Sequence, residues 1–447
     1  MTEEYLSLLH DWAELQDEAK NSPRLLLLKK FRDDFFCIPG LSDELRSDPL
    51  SVLRTRYPCL DVNDIYGHVS HEVQHSLGNE YNHSYESMRL FHALNIDKKS
   101  RQLFRSLAPL HPGWRSWRSR QMKRFASEDC SIRSDHIMHI PFAIELTQGC
   151  SGGCSFCGLS ASYLEQSESS FELLGVAFTD FLLQMKSVHG EFGKCGILYW
   201  ATDPLDCVDY LQYAEVFRDV FNVLPSTTTA LAAKYPHRFK AYIDAGGLER
   251  PWGLRCSLRS LSEYKKISDT LSLYERFSIS FVSQYREYAH LQAITGRSYD
   301  FDSSNHQQNQ GGTIACMSGL LVSLPRLSVE LITPCLAEPH HQNGYRSLLH
   351  ANPTSASNLT ESSEVIINQL PNIPFNLNDD LTVTIHPSQY LLYKNPEFPD
   401  LLNSLAHSSR SLQQIVATFS DRSQVQRMML YCLELIQFGV LKTSVQS

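Results

Sequence analysis

The sequence has no apolar run approaching the roughly 18 residues that a membrane-spanning helix needs. Its start, Met1-Thr-Glu-Glu-Tyr5, is acidic and lacks the basic region and apolar core of a signal peptide, so a cytoplasmic protein is expected. Basic charge is also scarce. A net charge of −9 with 20 % charged residues leaves no electrostatic footprint for nucleic acid. Neither nucleic acid nor membrane is therefore an expected partner. No repeat of fixed period is present, which excludes solenoids and propellers. Cysteine, in contrast, is not rare: the 447 residues hold 12. In a reducing compartment that number means thiols and metal ligands rather than a disulfide framework. The length allows two or three domains with ample core.

Three of those cysteines stand together in Cys150-Ser-Gly-Gly-Cys154-Ser-Phe-Cys157, directly after the alternating apolar run Phe142–Thr147. Three thiolates are one short of the four that close a [4Fe–4S] cluster or a structural zinc site. An incomplete set leaves one iron open to a ligand from outside the protein. Gly149, Gly152 and Gly153 allow the backbone to fold tightly, so that the sulfurs can converge. Three buried thiols in an ordinary turn are the plain alternative, and the surrounding chain has to decide between them.

Residues 1–134 read as a helical N-terminal region, with Leu6, Leu9, Trp12 and Leu15 near helical spacing and prolines at 23, 39, 49 and 58 cutting it into short helices. The basic run Trp114–Arg124 is expected as a solvated face, or as a contact for an acidic peptide. From 135 to 349 strands alternate with helices. Strands are expected at Phe142–Thr147, Gly196–Trp200, Asn222–Thr228 and Trp252–Leu258, with helices at Phe171–Val188, Val208–Val220 and Ala230–Ala245 between them. That order implies an α/β fold with a parallel sheet and its site at the C-terminal strand ends. Two further strands are expected over Thr313–Leu324 and Ser328–Thr333. Residues 350–379, rich in Ser, Asn and Pro, read as a linker. In 380–447 a hairpin of Leu381–Ile385 with Tyr390–Tyr393 and three short helices suggest a small winged-helix module.

One motif points elsewhere. His71-Glu72-Val73-Gln74-His75 matches HExxH, in which two imidazoles on one helix face bind zinc and the glutamate acts as general base. Tyr81 stands where the longer metzincin form needs a third histidine, and the segment is polar where a zinc-protease helix has an apolar face. A surface helix is the expectation here, with a zinc hydrolase as the rival.

Together these residues resemble the radical S-adenosylmethionine (SAM) superfamily. Its CxxxCxxC signature usually carries an aromatic before the third cysteine, the place of Phe156. The resemblance implies a partial (β/α)6 barrel and one [4Fe–4S] cluster on Cys150, Cys154 and Cys157, with SAM on the open iron. It also implies SAM contacts from Thr202 and Asp203 in Ala201-Thr-Asp-Pro204, from Thr228 in Ser226-Thr-Thr228, and from Arg255 and Ser257 on the fourth strand. Ala201–Pro204 departs from the family's usual Gly-Gly-Glu-Pro but keeps an acidic residue and the proline.

Tyr199–Asp206, Leu331–Cys335 and Gly344-Tyr345 look like radical SAM enzymes that modify ribosomally made peptides, in particular the proteusin-type epimerases that turn L-residues into D-residues. That likeness implies an epimerase in which the 5′-deoxyadenosyl radical removes an α-hydrogen and a thiol returns one from the opposite face. Cys335 at a strand end is the first candidate donor, and Cys316 inside a strand the second. It further implies a precursor peptide, whose leader adds a strand to the wing at Leu381–Tyr393 unless that domain is purely structural, and a flavodoxin or ferredoxin as electron donor. A peptide crosslinking enzyme of the same superfamily and a non-catalytic iron–sulfur scaffold are the alternatives.

Overall fold

The structure, a computed structural model, describes residues 3–78, 84, 87–88, 90, 107–127, 139–165, 170–249, 253–285, 295–301, 317–334, 343–370, 382–383, 410–411, 421, 423, 425 and 427–428. The fold is mixed α/β. The N-terminal region is helical, as its prolines and leucine spacing imply: α1 (Glu3–Asn21), α2 (Pro23–Cys37), α3 (Leu41–Ser47), α4 (Pro49–Arg56), α5 (Val62–Ile65) and α6 (His71–Leu77). Helix α2 shows how the local sequence sets such an element. Ser22 caps it by accepting the Leu25 N–H, and Pro23 occupies the first turn, where its missing N–H costs nothing. Leu25, Leu28, Phe31 and Phe35 then line one buried face.

Four parallel strands follow: β1 (Phe142–Glu145), β2 (Thr227–Thr229), β3 (Leu254–Leu258) and β4 (Ile279–Ser283). The expected strand at Gly196–Trp200 reduces to Ile197, which bridges Ala143 on one side and Ser226 on the other, both in parallel sense. Ile197 accepts from Ile144 N at 2.9 Å and donates to Phe142 O at 3.1 Å, so it joins β1 to the β2–β3–β4 sheet. The helices α7 (Pro112–Ser127), α8 (Phe171–His189), α9 (Tyr210–Phe221) and α10 (Pro236–Tyr242) supply much of the packing. Phe142, Ile144, Phe181, Phe217, Leu254 and Leu258 meet in one buried core. β1 is buried along its whole length, as a strand covered on both faces is, whereas β3 leaves Arg255 exposed.

Strand order departs from a sequential six-strand arc at β5 (Gly319–Ser323). Such an arc would set it beside β4; it pairs in parallel with β1 instead, Ile144 opposite Val322. The antiparallel strands β6 (Ser328–Pro334) and β7 (Tyr345–Ala351) extend that side of the sheet. No closed barrel forms among the described residues.

Two compositional expectations are corrected. Within the stretch read as a linker, α14 (Leu359–Gln369) packs on the core through Leu359, Ile366 and Ile367, joined by Leu370 just past its end. The helix is amphipathic, and its buried apolar stripe outweighs the Ser- and Asn-rich surroundings. The basic run on α7 is not simply a solvated face. Trp114 and Trp117 are fully buried, and the Arg118 guanidinium lies 4.3 Å from the Phe192 ring centroid while donating to Leu107 O at 2.8 Å. In the C-terminal part, β8 (Thr382–Val383) pairs antiparallel with β9 (Arg410–Ser411). The expected wing partner Tyr390–Tyr393 and the rest of the winged-helix module lie outside the described residues.

A buried ionic network fastens the N-terminal helices to α11 (Leu261–Thr270), α12 (Leu273–Phe277) and the β4 edge. Lys29 Nζ binds both Asp33 oxygens at 2.7 Å and donates to Ile279 O at 3.0 Å. Asp34 accepts from Tyr57 at 2.8 Å and from the Tyr264 hydroxyl. No helix among the described residues is long and apolar enough to cross a membrane.

Candidate functional site

Because β1 to β4 run parallel, the segments that follow them gather at one edge, where a ligand site forms in sheets of this kind. The cysteine loop follows β1. Gly149 has φ +83°, and a side chain there would collide with the Tyr163 carbonyl. The chain can therefore turn back close enough for Cys150 N to donate to Ser162 O at 2.9 Å. Cys157 N donates to Cys154 O at 3.3 Å, closing the second turn.

Gly152 is the cradle of the loop. A Cβ at Gly152 would lie 3.2 Å from the Cys150 sulfur and 3.3 Å from the Cys154 sulfur. Both sulfurs thus converge on one small space that only a glycine leaves open. Gly152 N–H points at the Cys150 sulfur at 3.3 Å, a contact that favours thiolate. Burial opposes it, pushing the Cys150 thiol up to about 12 and the Cys154 thiol up to about 11. The Arg259 cation counteracts the rise at Cys154, and neighbouring Asp203 adds to both. Thiols in this environment stay protonated until a metal displaces the proton. Among the described residues, no group of three or more His, Cys, Asp or Glu side chains could hold a metal ion as it stands. The three thiols match a thiolate-bound iron–sulfur cluster in the chemistry of the donor set, and two of them, Cys150 and Cys154, approach the same side of Gly152.

The loop is held from every neighbouring strand end. Ser151 donates its N–H to Asp206 Oδ2 at 2.7 Å and its hydroxyl to Oδ1 at 2.6 Å. Lys234 Nζ binds the Ser151 hydroxyl at 2.7 Å, and Tyr235 OH donates to Asp206 at 3.2 Å. Arg259 Nη1 donates to Gly152 O at 2.9 Å and is gripped by Glu263. On α13 (Gly296–Phe301), Arg297 Nε donates to Cys154 O at 3.0 Å and Nη1 to Ala161 O at 2.8 Å. Sequence reading named none of Ser151, Lys234, Arg259, Glu263 or Arg297 as site residues. Each is an ordinary polar residue in the chain, and only pairing across the fold gives it a role.

The expected SAM-contact residues are partly brought together. Thr228 and Arg255 are register partners on β2 and β3, and Ser257 lies two residues further on the same face. Arg255 is exposed, while Ser257 is buried. Thr228 donates to Tyr199 OH at 3.2 Å, and Thr202 bonds to Thr147 beside the cysteine loop. Phe156 is half-buried within that loop. Asp203 has its side chain engaged within the fold. Its buried carboxylate accepts from Leu205 N at 3.0 Å, Thr229 Oγ1 at 2.8 Å and Ala230 N at 2.7 Å. Burial pushes it up to about 6 against those bonds. Its side chain thereby ties residue 203 to the end of β2. Cys335 and Cys316 lie outside the described residues. The HExxH histidines, His71 and His75, are both exposed on the seven-residue α6, whose Val73 is its buried contact.

Comparison with known proteins adds little chemistry. The chain is 28 % identical over 301 residues to an uncharacterized protein, y4wI, of Sinorhizobium fredii. The match spans 61 % of this chain and 56 % of that protein, so this chain covers just over half of its relative's length. No family model matches, and neither does any solved structure.

Proposed function

We propose that the protein is a radical SAM enzyme that epimerises residues of a ribosomally made precursor peptide. The observation carrying the first half is the convergence of the Cys150 and Cys154 sulfurs on Gly152, at the C-terminal edge of parallel strands. Cys150, Cys154 and Cys157 would hold one [4Fe–4S] cluster. When bound, that cluster supplies the electron that splits SAM, leaving a radical able to remove a peptide α-hydrogen.

The chain's own residues have defined work around it. Gly152 keeps the space between two sulfurs open, and Asp206 and Arg259 hold the loop in that shape. Thr228, Arg255 and Ser257 present hydroxyls and a cation from one sheet face, suited to the ribose and carboxylate of SAM. The parallel lines from β1 to β4 are read as the first part of a partial (β/α)6 barrel.

The second half rests on the sequence resemblance. Cys335, or failing it Cys316, is the thiol that returns a hydrogen atom to the α-carbon. A neutral thiol is the competent form, since the S–H bond itself is the donor. The C-terminal segment 380–447 is read as the leader-binding part, and a flavodoxin or ferredoxin as the electron source.

The test has two stages. Anaerobically reconstituted protein should hold about four irons with labile sulfide and convert SAM to 5′-deoxyadenosine under reduction. Co-expression with a precursor peptide in deuterium oxide should then add one mass unit per D-residue. A loss of two mass units would mark a crosslinking enzyme instead. Cys335→Ala should still cleave SAM but form no D-residue, and full epimerisation by that variant would exclude Cys335 as donor.

A further inference from the structure

Three cations reach the cysteine loop from three different strand ends. Lys234 follows β2 and binds Ser151, Arg259 follows β3 and binds Gly152, and Arg297 lies on α13 after β4 and binds Cys154. They stand beside the carboxylates Asp203, Asp206 and Glu263, so the charge at the loop is mixed and what sets one cation apart is its geometry.

Arg259 has the most telling position. Its guanidinium is hydrogen-bonded to the carbonyl of Gly152, the residue that separates the two converging sulfurs. It is also fixed in direction. Glu263 Oε1 accepts from Arg259 Nε at 2.9 Å, while Oε2 accepts the Arg259 backbone N–H at 2.9 Å. Glu263 is itself held at the start of α11, where its N–H binds the capping Ser260 hydroxyl. A helix cap, a carboxylate and a guanidinium thus form a rigid chain ending on the cysteine loop. Lys234 is exposed and Arg297 serves two carbonyls, so neither has this backing.

We propose that Arg259, held by Glu263, is the positioning residue that sets the electron affinity of the cluster on this loop. The inference rests on the cluster reading given above. Its physical basis is simple: reduction adds one negative charge to a thiolate-bound cluster, and a fixed cation beside it stabilises the reduced form. Glu263 tempers that effect while holding the geometry. The two residues should therefore act in opposite directions, which a purely structural role would not produce.

The experiment is a redox titration of the reconstituted full-length protein, followed by the electron paramagnetic resonance signal of the reduced cluster. Arg259→Gln should lower the midpoint by about tenfold in the reduction equilibrium, about 59 mV for one electron. Arg259→Lys should recover part of that shift, and Glu263→Gln should move the midpoint upward. Unchanged midpoints in Arg259→Gln and Glu263→Gln would overturn the proposal, as would shifts of the same sign. If Arg259→Gln binds no iron, the Glu263→Gln titration decides alone: a raised midpoint supports the proposal, and an unchanged or lowered one overturns it. Wild-type protein that binds no cluster would instead remove the functional reading on which the proposal stands.

Discussion

Ser151 is bound twice to Asp206, backbone N–H to one carboxylate oxygen and hydroxyl to the other, which ties the cysteine loop to the segment after Ile197. Asp206 is only 2 % exposed, and its removal leaves the half-buried Ser151 and Tyr235 donors without this acceptor. Asp206→Ala should lose about 1–3 kcal/mol of stability. It should also retain far less iron after reconstitution than the wild type. Full iron content with unchanged denaturant midpoint would show that the tie does not shape the loop.

Gly152→Ala tests the cradle alone. The new methyl group would sit 3.2 and 3.3 Å from two sulfurs, tighter than ordinary van der Waals contact, and must spread them. The fold should survive, because Gly152 lies in a loop at the edge of the sheet. Iron per chain should fall while the far-ultraviolet circular dichroism stays the same. Normal iron loading in this variant would count against convergence of the two thiols on a cluster.

The Lys29–Asp33 pair predicts a stability effect remote from the site. Burial pushes Asp33 up and Lys29 down, and each is opposed by its partner. Lys29→Ala strands a carboxyl whose side chain is 7 % exposed and should cost about 3–5 kcal/mol. Lys29→Met combined with Asp33→Leu removes both charges and should cost less than the single change. Denaturant titrations of the two variants and the wild type give the comparison; a double variant destabilised as much as Lys29→Ala or more would show that a stranded carboxyl is not the source of the loss.

His189 predicts a pH dependence. It is fully buried, neither ring nitrogen has a hydrogen-bond partner among the described residues, and Trp114 packs on it with ring centroids 4.7 Å apart. Burial, with Arg118 and His111 adding to it, lowers its pKa from 6.5 to about 3. The folded state therefore keeps it neutral while the unfolded chain takes up a proton. Its contribution is intact above the ordinary value and is lost as pH falls from there toward about 3, by about 1.4 kcal/mol per unit. Between pH 7.5 and 5 the wild type should lose about 2 kcal/mol through this group. His189→Phe should lack that loss, and identical pH profiles would refute the assignment.

The exposed His71 and His75 make the opposite kind of prediction. Replacing both by Ala should leave iron content, SAM cleavage and stability within about 0.5 kcal/mol of the wild type. Loss of activity with loss of one bound zinc would revive the hydrolase reading.

Much of the layout was readable from local pattern. Apolar alternation at Phe142–Thr147, helix periodicity at Phe171–Val188 and the proline-cut N-terminal helices all appear near their expected places. These features depend on neighbours a few residues apart. The glycines of the cysteine loop were equally legible, because a positive φ at Gly149 and a vacant Cβ at Gly152 follow from having no side chain.

What the sequence alone determined is the cysteine triad, its glycines and the alternation of strands and helices, since each is written in residues that are neighbours in the chain. Tertiary structure decided the rest. It placed β5 beside β1, drew α14 out of an apparent linker, and gave the Asp203 carboxylate donors from Thr229 and Ala230. It also brought Lys234, Arg259 and Arg297 onto the loop across 83, 107 and 143 residues of chain. The reason is physical: a parallel sheet gathers the ends of distant strands at one edge, and no local periodicity records which polar side chains will meet there.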